Sequence, residues 1–477
     1  SSAASDVYKR QIYSASQAGT FSGNTFASNT ATYYGGGLYL RSGSFTLTGN
    51  VISQNQANYG GGLRMYGSAS MFSGNIISSN TAVVQGGGMY VTASNGASFT
   101  SNTFSGNSAP AGGGLYLSES DATFSNNTAA SNTAQSGGGW WLSASDATFN
   151  NNTISSNTAV ITGGGLYMEY SQAVLQTNTI ISNSAVNGGG AYVYGDEPVF
   201  SGNTVRANQA DNGGGFYLNA SSAKLSNNTF SSNKTTIAQN IGNGGGVYVL
   251  SGRVAITNNI FTSNTANYGG GGYLREDRST VYNNTFSDNE ASVGGGVRLY
   301  ESRATLNENT FTANRANDDG GGGAVLGYTP VLIANVFSEN FASDRGGGLF
   351  FSWSYAVCTD NLISNNNTLG EGGGLYLEKD KATFTGRNII SGNQAEQRGG
   401  GLYVSEGAPT LKQLEIINNH AEQSGGGLFV YNSDATLRES TIATNTVVHE
   451  GGGVYVSSSN ALTLDHNTIF NNDALIN

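Results

Sequence analysis

Few residues in this sequence have the types and spacing that catalysis or metal binding requires. Charged residues make up 11% of the 477 residues, and the formal net charge is −11. Of the three histidines, His420, His449 and His466, only His449 precedes a glutamate, and Gly451 follows instead of the second histidine of a zinc-binding helix. The single cysteine, Cys358, excludes an internal disulfide and a cysteine-based zinc site. We therefore predict no catalytic residue, no metal site and no cofactor.

The acidic residues form no compact cluster in the sequence. Asp318 and Asp319 directly precede Gly320, a position typical of a polar corner. Most other acids fall at one variable position of a repeated unit, several of them beside Lys or Arg, which indicates a solvated edge: Glu119, Asp121, Asp146, Glu276, Asp277, Glu301, Glu378, Asp380 and Asp434. Calcium at this edge is the alternative, because carboxylates are the ligands that calcium prefers.

Aromatic residues recur at a fixed place and are the best candidates for binding. Four residues after the first Gly of each Gly triplet stands a Tyr, Trp or Phe in fourteen of seventeen cases. Arg64 and Arg298 occupy the same place, which indicates that this column of side chains faces water. Rings with hydroxyl tips suit glycans and protein surfaces. We predict a binding surface formed by Tyr116, Trp141, Tyr167, Tyr192, Tyr217, Tyr248 and Tyr273. The alternative is that ring stacking only stabilises adjacent repeats.

The glycine triplets define a repeat that runs along almost the whole chain. Seventeen triplets begin between Gly35 and Gly451, so the mean spacing is 26 residues. Every interval is 25 to 27 residues except the one from Gly213 to Gly244, which is 31. A fixed period of this length is the signature of a solenoid.

Each repeat contains three short stretches in which apolar and polar residues alternate. In one repeat they are Trp140-Trp-Leu142, Ala147-Thr-Phe149 and Thr153-Ile-Ser155, separated by Gly, Asn, Ser and Asp. Alternation with period two indicates strands, and the separating residues favour tight turns. Three short strands per repeat predict an all-β, single-stranded parallel β-helix of 17 to 18 coils, about 4.8 Å apart.

Residues 17–477 are predicted to form one solenoid, whereas residues 1–16 lack the repeat. The run from Ser2 to Gln11 resembles translated sequencing-adapter sequence. We therefore expect residues 1–16 not to be native and the natural start of the protein to be missing.

Two asparagine columns accompany the glycines. The first begins at Asn24 and fails only at Leu414 and Ser440; the second holds in all eighteen repeats, from Asn29 to Asn472. Asn tolerates the left-handed conformations of tight turns, and stacked amides can hydrogen-bond from coil to coil. We predict turns at these residues and two structural asparagine ladders.

A column of hydroxyl side chains offers another candidate surface. Thr follows the first asparagine of many repeats and Ser often stands two residues later, as at Thr103 and Ser105. An outward Thr-x-Ser face is similar to the threonine arrays of ice-binding β-helices. Threonine also suits exposed strand positions without any function, and Val51, Ile76 and Arg206 interrupt the array.

The motifs resemble those of a known group of surface proteins. Gly112-Gly-Gly-Leu-Tyr116 and the Phe-x-x-Asn units at Phe21, Phe26, Phe104 and Phe230 resemble the Gly-Gly-Ala-Ile and Phe-x-x-Asn repeats of chlamydial polymorphic outer-membrane proteins. They are also similar to repeats of other bacterial β-helix adhesins. The resemblance spans residues 17–475. It implies a right-handed, pectin-lyase-like β-helix in an exported protein, often an adhesin.

These observations favour a secreted or cell-surface protein with a structural and adhesive role, and no enzymatic activity. The expected partners are glycans or proteins on a host or neighbouring cell, or another copy of the chain. Nucleic acid is not an expected partner, because no basic run exists beyond Lys9-Arg10. No apolar stretch is long enough to span a membrane. Binding or cleavage of carbohydrate is the first alternative, and ice binding the second.

Overall fold

The structure is a computed structural model that describes residues 12–15, 18–195, 197–236, 242–459 and 461–475. Every regular element in these ranges is a β-strand, and no described segment forms a helix that could cross a membrane. The chain divides into two compact units, Ser1–Asn233 (unit 1) and Lys234–Asn477 (unit 2). The longest repeat, from Gly213 to Gly244, includes residues 237–241, which lie outside the described residues.

Each unit is a right-handed parallel β-helix, as predicted, and the chain contains about 17 coils of about 26 residues. Every strand pairs with the equivalent strand of the next coil. Leu115 lies opposite Trp140, and Trp140 opposite Leu166, so equivalent residues form columns that run from coil to coil. Because all strands are parallel and in register, a side chain that points inward in one coil points inward in the next.

The first sheet contains the strands that follow the glycine triplets. In unit 1 these are Ile12–Ala15, Leu38–Arg41, Leu63–Tyr66, Met89–Thr92, Leu115–Ser118, Trp140–Ser143, Leu166–Glu169, Ala191–Tyr194 and Phe216–Asn219. In unit 2 they are Val247–Leu250, Gly272–Arg275, Val297–Tyr300, Gly323–Leu326, Leu349–Ser352, Leu375–Asp380, Leu402–Gly407, Leu428–Tyr431 and Val454–Ser457. The first of these strands falls within residues 1–16 and pairs with Leu38–Arg41.

The second sheet follows the corner at the end of the first. Its strands in unit 1 are Gly19–Ser22, Phe45–Thr48, Met71–Ser73, Ser98–Thr100, Thr123–Ser125, Thr148–Asn150, Val174–Gln176, Val199–Ser201 and Lys224–Ser226. Those in unit 2 are Ala255–Thr257, Thr280–Tyr282, Thr305–Asn307, Val331–Ile333, Val357–Thr359, Thr383–Thr385, Thr410–Lys412, Thr436–Arg438 and Thr463–Asp465.

The third sheet lies between the two asparagine columns. Its strands in unit 1 are Thr25–Ala27, Val51–Ser53, Ile76–Ser78, Thr103–Ser105, Thr128–Ala130, Thr153–Ser155, Thr179–Ile181, Thr204–Arg206 and Thr229–Ser231. Those in unit 2 are Ile260–Thr262, Thr285–Ser287, Thr310–Thr312, Val336–Ser338, Leu362–Ser364, Ile389–Ser391, Glu415–Ile417, Thr441–Ala443 and Thr468–Phe470.

A fourth set of strands lies directly before the glycine triplets. The sequence predicted only three strands per coil. In unit 1 they are Gln56–Tyr59, Thr81–Gln85, Ser108–Ala111, Thr133–Ser136, Thr158–Thr162 and Gln209–Ala210. In unit 2 they are Lys234–Thr235, Glu290–Ala291, Arg315–Ala316, Phe341–Ala342, Asn367–Thr368, Gln394–Ala395, His420–Ala421, Thr446–Val447 and Asp473–Ala474. Most are too short to show alternation in the sequence, and their pairing depends on the register that the longer strands set.

The core of each unit is a narrow column of stacked apolar side chains. Leu115 and Leu117 of the first sheet are fully buried, which confirms the predicted inward positions. In the second sheet, Phe99 and Phe124 stack with their ring centroids 4.6 Å apart. In unit 2, Cys358 is buried in the equivalent column, as predicted, and burial raises the pKa of its thiol well above its usual range.

Both predicted asparagine ladders are present, and their amides are fully hydrogen-bonded. The Asn208 Oδ1 accepts hydrogen bonds from the backbone N–H and the Nδ2 of Asn183, at 2.9 and 3.0 Å. The Asn208 Nδ2 donates to the Asn233 Oδ1 at 3.0 Å and to the Ile180 carbonyl at 2.9 Å. Each side chain thus joins neighbouring coils at a corner with no access to water.

The ladder asparagines do not adopt the left-handed conformation that the sequence suggested. The residue before the asparagine does, as at Ser131 before Asn132, with φ 55°, and Gly106 before Asn107, with φ 62°; before Asn388 the left-handed residue is Gly386, two positions earlier. The two positions have different roles in the turn. The left-handed residue turns the chain, and the asparagine that follows can then point inward into the ladder.

The three glycines of a triplet are required for different reasons. The first, such as Gly86, has a φ of +66° and lies against the backbone of Met89 and Tyr90. A Cβ on the second, Gly87, would overlap the carbonyl oxygens of Gly113 and Ser108 in the next coil. A Cβ on the third, Gly88, would overlap the carbonyl oxygen of Gly114, which is also in the next coil.

Replacement of Gly87 by Ala should destabilise unit 1 strongly, because the new methyl group would force apart the backbones of two coils. Gly74→Ala is the matched control: nothing lies within 4 Å of its added Cβ. The control retains only the left-handed strain of about 1–2 kcal/mol. Thermal melting followed by circular dichroism measures both variants. Equal losses would show that the triplet needs no close backbone approach.

Replacement of Asn208 by Ala should cost roughly 1–3 kcal/mol for each donor of Asn183 that loses its acceptor. Hydrogen exchange of the amides in the coils on either side reports this local loss of protection. Asn150 points outward from its strand and is exposed, so Asn150→Ala should change stability by less than about 0.5 kcal/mol. A loss for Asn208→Ala no larger than for this control would contradict the ladder.

Candidate functional site

The predicted aromatic column lies on the outer face of the first sheet. Tyr116 stands between the inward residues Leu115 and Leu117, so its ring points away from the core, as predicted. Neighbouring rings contact each other along the column. The centroids of Trp141 and Tyr167 are 4.0 Å apart, and those of Tyr167 and Tyr192 are 5.4 Å apart.

The prediction that this column is exposed to water is wrong for most of its members. Tyr116 is 8% exposed, Tyr217 9%, and Tyr248 and Tyr273 4% each. Trp141, Tyr167 and Tyr192 are half-buried. Burial raises the pKa of Tyr116 and of Tyr273 to about 12. A role of these seven residues in binding remains a prediction.

A second column covers the aromatic one. It contains the residue before each triplet, and we call it the covering column: Tyr34, Tyr59, Gln85, Ala111, Ser136, Thr162, Asn187, Asn212, Asn243, Tyr268, Val293, Asp319, Arg345, Glu371, Arg398, Ser424 and Glu450. The ring of Tyr59 lies 5.5 Å from that of Tyr90, and Gln85 hydrogen-bonds to Tyr116.

The two arginines of the aromatic column are packed among rings, so they are no sign of a column that faces water. Arg64 is 6% exposed. Its guanidinium lies 4.1 Å from the centroid of Tyr90 and donates a hydrogen bond of 2.7 Å to the Met65 carbonyl. Burial lowers the pKa of Arg64. Arg298 lies 4.0 Å from the centroid of Tyr268. A planar guanidinium stacks on aromatic faces, so it replaces a ring in the column.

The predicted polar corner at Asp318 and Asp319 is an ion-pair network in unit 2. Carboxylate oxygens of Asp318, Asp319 and Asp344 lie within 4.8 Å of one another. Arg345 donates to both oxygens of Asp319, at 2.9 and 2.8 Å, and lies 3.4 Å from Asp344. Burial raises the pKa of Asp319 to about 7, against the opposing charge of Arg345. Arg345 pairs with Asp319 and Asp344, and its single positive charge offsets only part of the negative charge of the three carboxylates.

A third ladder, made of serine, occupies the corner after the first sheet. The Oγ of Ser145 accepts a hydrogen bond of 3.1 Å from the Ser120 N–H, and Ser171 does the same for Ser145. Sequence reasoning missed this ladder, although serine stands eight residues after the first glycine in many repeats. We call this place, with the residues beside it, the first corner.

Two acids replace serine in the serine column of unit 2, so their assignment to a solvated edge is wrong. Asp277 and Asp380 are buried at 1% and 0% exposure. Asp380 accepts hydrogen bonds from the N–H groups of Ser354 and Ala382, at 2.9 and 2.6 Å. Burial raises the pKa of Asp380 to about 6.

The exposed aromatic side chains are concentrated at the first corner instead of in the predicted column. Seven of the eleven exposed aromatic side chains among the described residues lie there: Tyr66, Tyr170 and Tyr194 in unit 1, and Tyr328, Trp353, Tyr355 and Tyr431 in unit 2. Tyr170 and Trp353 are each 65% exposed. A depression of about 240 Å³ in unit 1 is lined by Tyr170, Ser171, Gln172, Gly195 and Glu197. Aromatic residues at an otherwise polar, variable corner were the signal that could have identified this surface.

A known family matches the repeated part of the chain. The family model described as a right-handed β-helix region matches residues 11–160, 111–249, 235–357 and 352–477. The chain belongs to the right-handed β-helix family. No curated protein matches it. A chain in the cryo-EM structure of the Vag8–C1 inhibitor complex is similar at 12% identity, over 94% of this chain and 99% of that chain, with a TM-score of 0.42.

Two of the three histidines of this β-helix contact polar side chains. The His420 Nδ1 lies 2.9 Å from the Thr446 Oγ1, and its Nε2 lies 3.3 Å from Glu422. The N–H groups of Thr446 and Val448, which could stabilise an oxyanion, already donate to carbonyls of the previous coil. His466 contacts Asp465 on the exposed surface.

Replacement of Asp380 by Ser should remove a pH-dependent loss of stability in unit 2. Because the pKa of Asp380 is raised from 3.8 to about 6, the folded state binds its proton more tightly than the unfolded state. Stability therefore falls as the pH rises from about 4 to about 6, by about 3 kcal/mol in total. Serine restores the ladder without a titrating group.

Urea denaturation between pH 4 and pH 8 measures this difference. The difference in the free energy of unfolding between Asp380→Ser and the natural chain should grow from about pH 4 to about pH 6 and then level off. Ser120→Ala, in a part of the ladder whose neighbours are Ser94 and Ser145, should shift stability by a constant amount. An advantage of Asp380→Ser that is equally constant with pH would contradict the buried-acid interpretation.

Proposed function

We propose that this protein is an exported or cell-surface β-helix that binds glycans or proteins on a host or neighbouring cell and has no enzymatic activity. The motif resemblance to chlamydial outer-membrane protein repeats and bacterial adhesins supports export. The observation that carries the binding role is the concentration of exposed aromatic rings at the first corner of a scaffold whose buried amides are fully hydrogen-bonded.

In unit 1 the binding surface consists of two adjoining parts. Trp141, Tyr167 and Tyr192 of the aromatic column are half-buried, and they border the exposed Tyr170 and Tyr194. Tyr192 and Tyr194 lie on the same strand and on the same face, two residues apart. The rings of Tyr170 and Tyr194 are 6.0 Å apart and nearly perpendicular.

Polar groups beside these rings suit a sugar ligand. Gln172 and Glu197 line the depression next to Tyr170, and the Tyr167 hydroxyl donates a hydrogen bond of 3.2 Å to Glu169. Flat rings offer area for the apolar face of a sugar, and amides and carboxylates hydrogen-bond to its hydroxyl groups. The same amphipathic rings serve protein interfaces.

Ice binding is a second candidate, favoured by one feature of the third sheet in unit 1. Thr103, Thr128, Thr153, Thr179, Thr204 and Thr229 pair in register through six consecutive coils. Ile181 and Arg206 interrupt the neighbouring outward column. Thermal hysteresis of the intact chain distinguishes this function from glycan or protein binding.

The double variant Tyr170→Ser, Tyr194→Ser should lose most binding to cells and to a glycan array without loss of stability, because both side chains are exposed. The matched control is Tyr33→Ser with Tyr282→Ser, which removes two exposed tyrosines away from this corner. Full binding by the Tyr170, Tyr194 variant would exclude this surface. Binding by neither the natural chain nor the variants would exclude the proposed function.

A further inference from the structure

The first corner of unit 2 carries a row of like charges. Arg253, Arg278 and Arg303 occupy equivalent places in three consecutive coils, Thr329 and Tyr355 take that place in the next two coils, and Lys381 takes it in the coil after them. We call Arg253, Arg278, Arg303, Tyr355 and Lys381, whose side chains are all exposed, the basic row.

Backbone hydrogen bonds between coils hold the basic row in register. The N–H of Arg278 donates to the Gly252 carbonyl at 3.0 Å, and that of Arg303 to the Asp277 carbonyl at 2.9 Å. The N–H of Lys381 donates to the Ser354 carbonyl at 3.0 Å. Arg253, Arg278 and Arg303 are therefore stacked one coil apart, about 4.8 Å in the direction of pairing.

This arrangement is unfavourable for the isolated protein. Elsewhere in unit 2, charged residues of neighbouring coils pair with opposite sign: Lys379 lies 3.6 Å from Glu406, Lys412 3.4 Å from Glu439, and Arg398 3.4 Å from Glu371. Among the described residues, the cations of the basic row are in no ion pair. Like charges on neighbouring coils repel each other, so an anion bound along the row would relieve the repulsion.

Aromatic rings adjoin the same row. Arg303 lies 4.9 Å from the ring centroid of Tyr328, and the Lys381 Nζ lies 5.7 Å from that of Tyr355. Trp353, 65% exposed, precedes Tyr355 by two residues. Exposed rings beside cations combine stacking on a flat sugar with charge pairing to its substituents.

A mixed depression connects the rings and the cations. It measures about 200 Å³ and is lined by Glu276, Asp277, Arg278, Glu301, Arg303 and Tyr328. Glu276 is paired with Arg275 at 3.1 Å, while Asp277 and Glu301 give the depression carboxylates beside the two arginines. The carboxylates can accept hydrogen bonds from hydroxyl groups, which a sugar has in excess and a phosphodiester backbone lacks.

We propose that the basic row with Tyr328 and Trp353 binds a sulfated polysaccharide whose chain runs from coil to coil. Sulfate esters project from the sugar ring, so the anions reach the stacked guanidinium groups while rings of the ligand lie on Trp353 and Tyr355. Arg holds such oxygen anions through several N–H donors at once. This site lies in unit 2 and is separate from the unit 1 surface of the proposed function.

Binding of dextran sulfate to the whole chain, at fixed ionic strength, tests the proposal. Arg278→Glu with Arg303→Glu should weaken binding at least about tenfold and reduce its salt dependence. Arg206→Glu with Lys224→Glu is the matched control, because it removes two exposed cations of unit 1 with the same change in net charge. Trp353→Ala, at an exposed position that should not affect folding, should also weaken binding.

Three further ligands test which chemical class of ligand this site binds. Uncharged dextran should not bind, and polygalacturonate and single-stranded DNA should bind more weakly than dextran sulfate. Equal weakening by both double variants would show attraction to overall charge and overturn the proposal. Equal or tighter binding of polygalacturonate or DNA would also overturn it. Loss of this site should leave binding at Tyr170 and Tyr194 unchanged, so its failure is distinguishable from failure of the proposed function.

Discussion

The coil-to-coil hydrogen bond of the asparagine side chain is the interaction on which the rest of this structure depends. A buried amide is costly unless all of its donors and acceptors are used. Here the Oδ1 of an asparagine such as Asn132 accepts two hydrogen bonds from Asn107, and its Nδ2 donates to Asn157 and to the Phe104 carbonyl. Only one register of the coils satisfies this pattern. The ladders therefore fix which residues stack, and with them the positions of the core, the corners and the outer columns.

The glycine triplet also determines how the candidate site is covered. Its left-handed first residue lets the chain pass closely over the start of the first sheet, and this brings the preceding residue onto the aromatic column. In unit 2, Phe350, Tyr376, Tyr403 and Phe429 thereby form a second apolar cluster outside the sheet. Outward-facing and exposed are thus different properties in this β-helix, and most of the rings pack against neighbouring side chains of the scaffold.

The scaffold leaves the first corner free to vary. Its backbone is held by hydrogen bonds between coils, while the side chains on either side of the serine ladder project into water. Binding groups on such a rigid framework lose little conformational entropy when a ligand binds. The rings of Tyr170 and Tyr194 in unit 1 and the basic row of unit 2 lie at the same place in the repeat. They differ in chemistry, because the first set is aromatic and the second is mostly cationic. The aromatic and charged residues at this corner are therefore better candidates for recognition than the regular columns.

Period and residue type in the sequence were sufficient for the fold, because each coil repeats the same local choices. The glycine spacing, the alternation at Trp140 to Leu142 and the asparagine columns predicted the β-helix, the inward leucines and the ladders. The exposure of an outward side chain was not predictable, because it depends on what the chain places over it. Tyr59 covers Tyr90, Arg64 stacks among tyrosines, and Asp380 is buried in a serine ladder. These contacts join residues of different coils, so only the tertiary structure decided that the aromatic column is largely covered and that the first corner is open to a partner.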